Sequence, residues 1–213
     1  PRSTPMKSAA ASDVYKRQPG ELPDKFRNLK AAYSFMNCHP GKKLLFMGQE
    51  FGQLREWSEE RELDWFLLNE EPHKELQNYV HDLLTIYKKY PALYTETKGY
   101  GAFEWINADD RDRSIFSFIR KTTEPDYRNA VGFVFNFTPV ERPDYVVGVP
   151  KAGTYKRIIT TETGDTEVVK YKAKKQEADG KPYRLEIPLR PLESVVFEFP
   201  KVIKKKAKTT KKK

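Results

Sequence analysis

From about Asp24 to Asn37, apolar residues recur with the period of a helix. Phe26, Leu29, Tyr33 and Met36 stand three or four positions apart and so share one face. Asp24 suits the positive end of the helix dipole, and His39-Pro40-Gly41 stops the helix because proline cannot continue it. Lys43-Leu44-Leu45-Phe46-Met47 follows, a short apolar run that reads as a strand buried on both faces, as in a parallel sheet. A polar loop, Gly48 to Gln53, continues through Arg55-Glu56-Trp57 to Leu63-Asp64-Trp65. A second helix is predicted from about His73 to Lys89, with Leu76, Tyr79, Val80, Leu83, Leu84 and Tyr87 as its apolar face. Lys88 and Lys89 lie at its negative end, and Pro91 closes it. The order helix, strand, loop, helix predicts right-handed α/β winding. Two helices and one strand cannot build a domain, so this strand is expected to need neighbours that the chain does not contain.

From about Ala102 the period changes to two. Phe116 and Phe118 alternate with Ser117, and Val131, Phe133, Phe135 and Phe137 fall on one face of the run from Ala130 to Phe137. Further strands are predicted at 114–120, 145–149, 155–160, 167–171, 183–189 and 194–199. They are separated by Pro139, Pro143, Pro150, Gly153, Gly164-Asp165, Asp179-Gly180 and Pro191. About seven to eight short strands so spaced predict an antiparallel β-sandwich that buries its own core.

Composition changes this picture little. Charged residues are 32% and hydrophobic residues 38%, with 13% aromatic, which is polar but foldable. The formal charge of +9 raises the question of nucleic acid, and its location answers it. Removing the eight lysines of 201–213 and the net three positive charges of 1–18 leaves residues 19–200 at −2. A basic groove over the fold is therefore not expected, and no nucleic-acid partner. No apolar run approaches the roughly 20 residues of a membrane span, so no membrane partner is expected. A single cysteine, Cys38, excludes an internal disulfide and fits a reducing, cytoplasmic compartment. Residues 1–18 show no apolar period and read as a non-native or disordered leader, and 201–213 as a disordered lysine-rich tail.

Candidate chemistry concentrates in the loop after the apolar run. Glu50, Gln53, Arg55, Glu56, Trp57, Asp64 and Trp65 supply the mixture that sugars need. Aromatic faces stack on pyranose C–H surfaces, while carboxylates and amides bind hydroxyls. The competing reading is that Trp57 and Trp65 pack and that Glu50 is a salt-bridged structural carboxylate. His39, His73 and His81 lack metal spacing and read as surface or packing residues, so no metal is expected. Cys38 has no CxxC partner, and no phosphate-loop pattern occurs.

The stretch from His39 to Gln53, Arg55-Glu56-Trp57 and Leu63-Asp64-Trp65 closely resemble glycogen (1,4-α-glucan) branching enzymes of the α-amylase superfamily. So do Phe103-Glu104-Trp105-Ile106 with Asp109, Ser114 to Phe118, and Tyr145 followed by Gly148-Val149-Pro150 and Gly153. The resemblance covers about residues 19–200. It implies the terminal segment of a (β/α)8 TIM barrel at 19–98 (helix seven, strand eight, helix eight) and a C-terminal all-β domain at 99–200. It also implies retaining transglycosylation without a cofactor. A carboxylate attacks the anomeric carbon of an α-1,4 bond, a carboxylic acid protonates the leaving oxygen, and a 6-hydroxyl of another glucan chain resolves the intermediate. The family's nucleophilic Asp, acid/base Glu and His–Asp pair would lie upstream of the first helix, so no catalytic residue is expected in this chain. Glu50, Gln53, Arg55, Trp57, Asp64 and Trp65 are expected to bind α-glucan, and the intact parent to be a monomer. Two alternatives stand beside this: a non-catalytic glucan-binding β-sandwich module, and another α-amylase superfamily enzyme, debranching or trehalose-forming.

Overall fold

A computed structural model describes residues 20–95, 100–123, 125–162 and 167–201. The leader 1–18, the lysine-rich tail beyond Lys201 and the turn at Gly164-Asp165 lie outside the described residues. Helix α1 spans Leu22–Cys38 and α2 spans Glu71–Lys89, each with a proline in its first turn, where the missing N–H costs nothing. Lys88 and Lys89 occupy the last turn of α2 as the sequence predicts. Pro91 then starts a four-residue turn, α3, Pro91–Tyr94. The helices pack through Phe26, Leu29 and Tyr33 on α1 and Leu76, Tyr79, Val80 and Leu83 on α2. Leu84, assigned to that face from the sequence, is instead exposed. It follows Leu83 by about 100° of helix rotation and turns off the buried stripe. Ser34 on α1 and Tyr79 on α2 hydrogen-bond through their hydroxyls within the seam.

Eight strands follow: β1 Phe103–Asp110, β2 Ile115–Arg120, β3 Val131–Asn136, β4 Arg142–Val149, β5 Thr154–Thr160, β6 Lys170–Lys172, β7 Tyr183–Leu189 and β8 Ser194–Glu198. The run predicted at 167–171 becomes a strand only at its end. A six-stranded antiparallel sheet has the order β1-β2-β3-β8-β5-β6, and β4 pairs with β7 in a second sheet. Between the sheets lies a core that includes Ile119, Val134, Val147, Tyr155, Leu185, Ile187 and Phe197. Gly132 stands opposite Phe197 in the β3–β8 register, and a Cβ there would fall 2.2 Å from the ring. Only glycine lets that ring lie down across the ladder.

The other face of the large sheet is buried too. Phe118, Val131, Phe133, Phe135 and Val196 form a second core with Cys38, Ala92 and Leu93 of the helical segment. The odd-numbered face of β3 predicted from the sequence is thus the face the helices cover. Phe35 of α1 meets Phe118, Phe135 and Phe137 edge-on, with ring centroids 5.9, 5.2 and 5.9 Å away. Buried Arg120 at the end of β2 donates to Cys38 O at 2.9 Å and Leu93 O at 3.3 Å, satisfying carbonyls at two helix ends. Burial lowers the pKa of its guanidinium, which these acceptors help to hold.

The α/β part of the expected fold is not formed among the described residues. Lys43–Met47 carries no strand ladder, and Leu44, Phe46 and Met47 are 73%, 40% and 47% exposed. A central strand must pair on both edges, and among the described residues no strand lies beside this run, so its backbone is left without a ladder. The helices pack on the antiparallel sheet rather than flanking a parallel one.

Replacing Arg120 with Leu strands two carbonyls at the helix–sheet seam, at a cost of about 2 kcal/mol. Thermal unfolding followed by circular dichroism is expected to show a midpoint lower by about 4–8 °C. An unchanged midpoint would show that the clamp is not what joins the two parts.

Candidate functional site

The loop between α1 and α2 is built around one tight turn. Gly48 (φ 85) and Gly52 (φ 70) flank a 3₁₀ turn, Gln49–Phe51, both in the left-handed region that glycine tolerates. Gly48 is needed twice over, since a Cβ there would sit 2.8 Å from Gln53 Oε1. Phe51 is wholly buried, and its carbonyl accepts a 2.7 Å hydrogen bond from Nδ1 of buried His73 on α2. Because the carbonyl can only accept, Nδ1 carries the proton. Tyr33 of α1 donates to Gln49 O at 2.9 Å. Both helices therefore grip the turn.

Gln53 is buried and closes the neck of the longer loop beyond. Its Oε1 accepts from Asp64 N at 2.9 Å and its Nε2 donates to Arg55 O at 3.1 Å. Arg55 then pairs with Asp64 side-on, Nε reaching both carboxylate oxygens at 2.8 and 3.1 Å and Nη2 reaching Oδ1. The Asp64 side chain is 4% exposed and that of Arg55 55%. The Arg55 hydrogen bond holds the Asp64 carboxyl below its usual range, against a desolvation effect that raises it. Three of the six residues named from the sequence thus form one unit whose polar groups are largely occupied with one another.

The remaining three are placed separately. Trp57 is 39% exposed and meets Phe46 edge-on at 5.5 Å. Trp65 is 48% exposed and lies against Phe51 at 5.3 Å, tilted by 38°. Glu50 is half-buried on the 3₁₀ turn. Half of the exposed large apolar side chains among the described residues, six of twelve, fall between Leu44 and Phe66. Two exposed tryptophans, one against Phe46 and one against Phe51, thus share the loop with the Arg55–Asp64 pair. Sequence reasoning missed the parts played by Tyr33 and His73. The paired glycines at 48 and 52 were the available sign that something grips the turn from outside. Among the described residues no group of three or more His, Cys, Asp or Glu is arranged to hold a metal ion, and no helix is long and apolar enough to cross a membrane.

The comparisons with known proteins speak to the fold first. Residues 105–200 match the family described as "Alpha amylase, C-terminal all-beta domain". Over most of its length the chain is also similar to 1,4-alpha-glucan branching enzymes, GlgB. It is 47% identical to that of Butyrivibrio fibrisolvens over 192 residues, covering 87% of this chain and 30% of the relative. It is 40% identical to that of Aquifex aeolicus over 187 residues, covering 85% of this chain and 29% of the relative. The chain therefore spans about 30% of the length of these curated relatives. Among solved structures, it is similar to pullulanase type I from Bacillus subtilis str. 168 complexed with maltose, with a TM-score of 0.62 at 14% identity, covering 84% of this chain and 24% of that one. At that identity the likeness shows the fold alone.

The Arg55–Asp64 pair makes the neck sensitive to acid. Because the carboxyl pKa is lowered in the folded protein, its contribution is present above the ordinary carboxylate pKa of about 4 and is lost as pH falls through the folded value. Tryptophan fluorescence, with Trp57 in the loop and Trp65 beside Asp64, is expected to change in that acid window. In Asp64→Asn the same change should already be present at neutral pH. Superimposable pH profiles for the two proteins would remove the pair from this role.

Proposed function

We propose that this chain is the closing portion of a 1,4-α-glucan branching enzyme. On this reading α1, the run Lys43–Met47 and α2 supply the seventh helix, eighth strand and eighth helix of a (β/α)8 barrel, and β1 to β8 form the domain that follows. The observation that carries it is the concentration of exposed apolar side chains from Leu44 to Phe66, in a chain whose other cores are closed. A run that lacks a ladder and exposes Leu44, Phe46 and Met47 fits a strand whose neighbours belong to the remainder of a barrel. The similarity to branching enzymes over 85–88% of the chain supports the same reading.

The whole enzyme would cleave an α-1,4 bond and transfer the chain to a 6-hydroxyl with retention, without a cofactor. That chemistry needs two carboxyl groups roughly 5–5.5 Å apart, supplied by the barrel's other strands. Glu50 is not assigned to it. Trp57 and Trp65 offer aromatic faces to an α-glucan chain at the strand's C-terminal end, and Glu50 lines the floor of the acceptor site. Gln53 and Asp64 fix the loop, and Arg55 keeps the exposed part of its guanidinium for sugar hydroxyls. The intact enzyme would act as a cytoplasmic monomer.

Grafting tests the proposal. Residues 20–201 replace the matching C-terminal part of the Butyrivibrio fibrisolvens enzyme, and amylose branching is read as loss of iodine absorbance. The chimera is expected to branch, and residues 20–201 alone to leave the absorbance unchanged. Trp65→Ala in the chimera is expected to raise KM about three- to tenfold, a loss of about 1 kcal/mol in glucan stacking. An inactive but folded chimera, or branching by the chain alone, would overturn the reading.

A further inference from the structure

Away from that loop, where α2 meets the ends of β8 and β5 in the large sheet, two adjoining clefts of about 400 and 380 Å³ open on either side of one hydrogen-bonded pair. They share Lys89, Tyr90, Glu198 and Lys201. Tyr90 donates to Glu198 Oε2 at 3.0 Å, and burial with the nearby carboxylate raises the phenol's pKa, so the hydroxyl stays a donor. Lys156 stands directly opposite Glu198 in the β5–β8 register and lines one cleft, while Arg128 lines the other. The ammonium of Lys89 lies over the Tyr90 ring, 5.4 Å from its centroid.

The lining mixes charges: Lys89, Lys156, Arg157 and Lys201 stand with Glu167 and Glu198. Residues 19–200 are close to neutral in sum, and elsewhere lysines such as Lys121, Lys174 and Lys181 are paired with carboxylates. Lys89, Lys156 and Lys201 have no carboxylate partner among the described residues, and all three line the cleft on the β5 side. Ammonium groups around one cleft repel one another, and an anion bound among them relieves that cost. A phosphoryl group presents oxygens that several such donors can share. Beside it, the Tyr90 hydroxyl oxygen and the second carboxylate oxygen of Glu198 remain as acceptors for sugar hydroxyls.

From these observations we infer that the cleft around Tyr90 and Glu198 binds a phosphomonoester carried on a sugar. Lys89, Lys156 and Lys201 hold the phosphoryl group, and Tyr90 with Glu198 holds the sugar hydroxyls. The ligand's source is either a free sugar phosphate or a phosphate ester borne on a glucan chain. Nothing in this site depends on the loop between α1 and α2 or on the branching assignment.

Isothermal titration of the full chain tests this with glucose 6-phosphate, inorganic phosphate, glucose and a phosphorylated maltodextrin as separate probes. Glucose 6-phosphate is expected to bind more tightly than inorganic phosphate, and glucose not to bind. The double variant Lys89→Gln, Lys156→Gln should weaken glucose 6-phosphate binding at least about tenfold. Lys172→Gln, an exposed lysine on β6, should leave it unchanged. Tyr90→Phe should remove the preference for the sugar phosphate over inorganic phosphate. Tighter binding of the maltodextrin assigns the source to glucan, and equal or weaker binding to the free sugar phosphate. No heat from any phosphorylated probe, or an equal loss in Lys172→Gln, would overturn the site.

Discussion

The six-stranded sheet has to be covered on both faces, and that requirement organises the molecule. Phe118, Phe133 and Phe135 point away from the sandwich core, and each ring left in water would forgo about 2–3 kcal/mol of burial. The helical segment supplies the cover, with Phe35 wedged among these rings and Arg120 tying the carbonyls of Cys38 and Leu93 to the end of β2. The helices and the strands are two kinds of secondary structure, yet one core draws side chains from both.

This arrangement sets where the loop between the helices can go. Because α1 and α2 are fixed against each other and α1 against the sheet, Tyr33 and His73 become rigid posts that hold the Gln49–Phe51 turn. Rigidity reaches the two tryptophans indirectly. Trp65 leans on wholly buried Phe51, while Trp57 leans only on Phe46, which is itself exposed. The first is a firm platform and the second an adjustable one.

Much of the fold could be read from the sequence because its signals are local. The alternation through Val131, Phe133 and Phe135 and the helical stripe of Phe26, Leu29 and Tyr33 are decided within a few residues. Three features could not be read this way. The run Leu44–Met47 is apolar enough for a buried strand, but strand formation depends on partners, and pattern alone cannot say whether they are present. The Arg55–Asp64 pair joins residues nine apart through a loop of no regular period, so neither predicts the other. The helix-facing side of β3 looked like half of a sandwich core, since alternation marks a buried face without saying what buries it.

The closed neck at Gln53 also bears on how the segment between 54 and 63 can change. Its two ends are pinned within a few ångströms by Gln53 to Asp64 and Arg55, so the intervening residues form a cassette separable from the body. Lengthening such a segment is inexpensive, about 0.6 kcal/mol for each doubling, once its ends are held independently of its contents. Insertions and deletions there can reshape the reach of Trp57 without disturbing the helices, whereas one residue added between Gly48 and Gln53 would break the grip that makes the cassette possible.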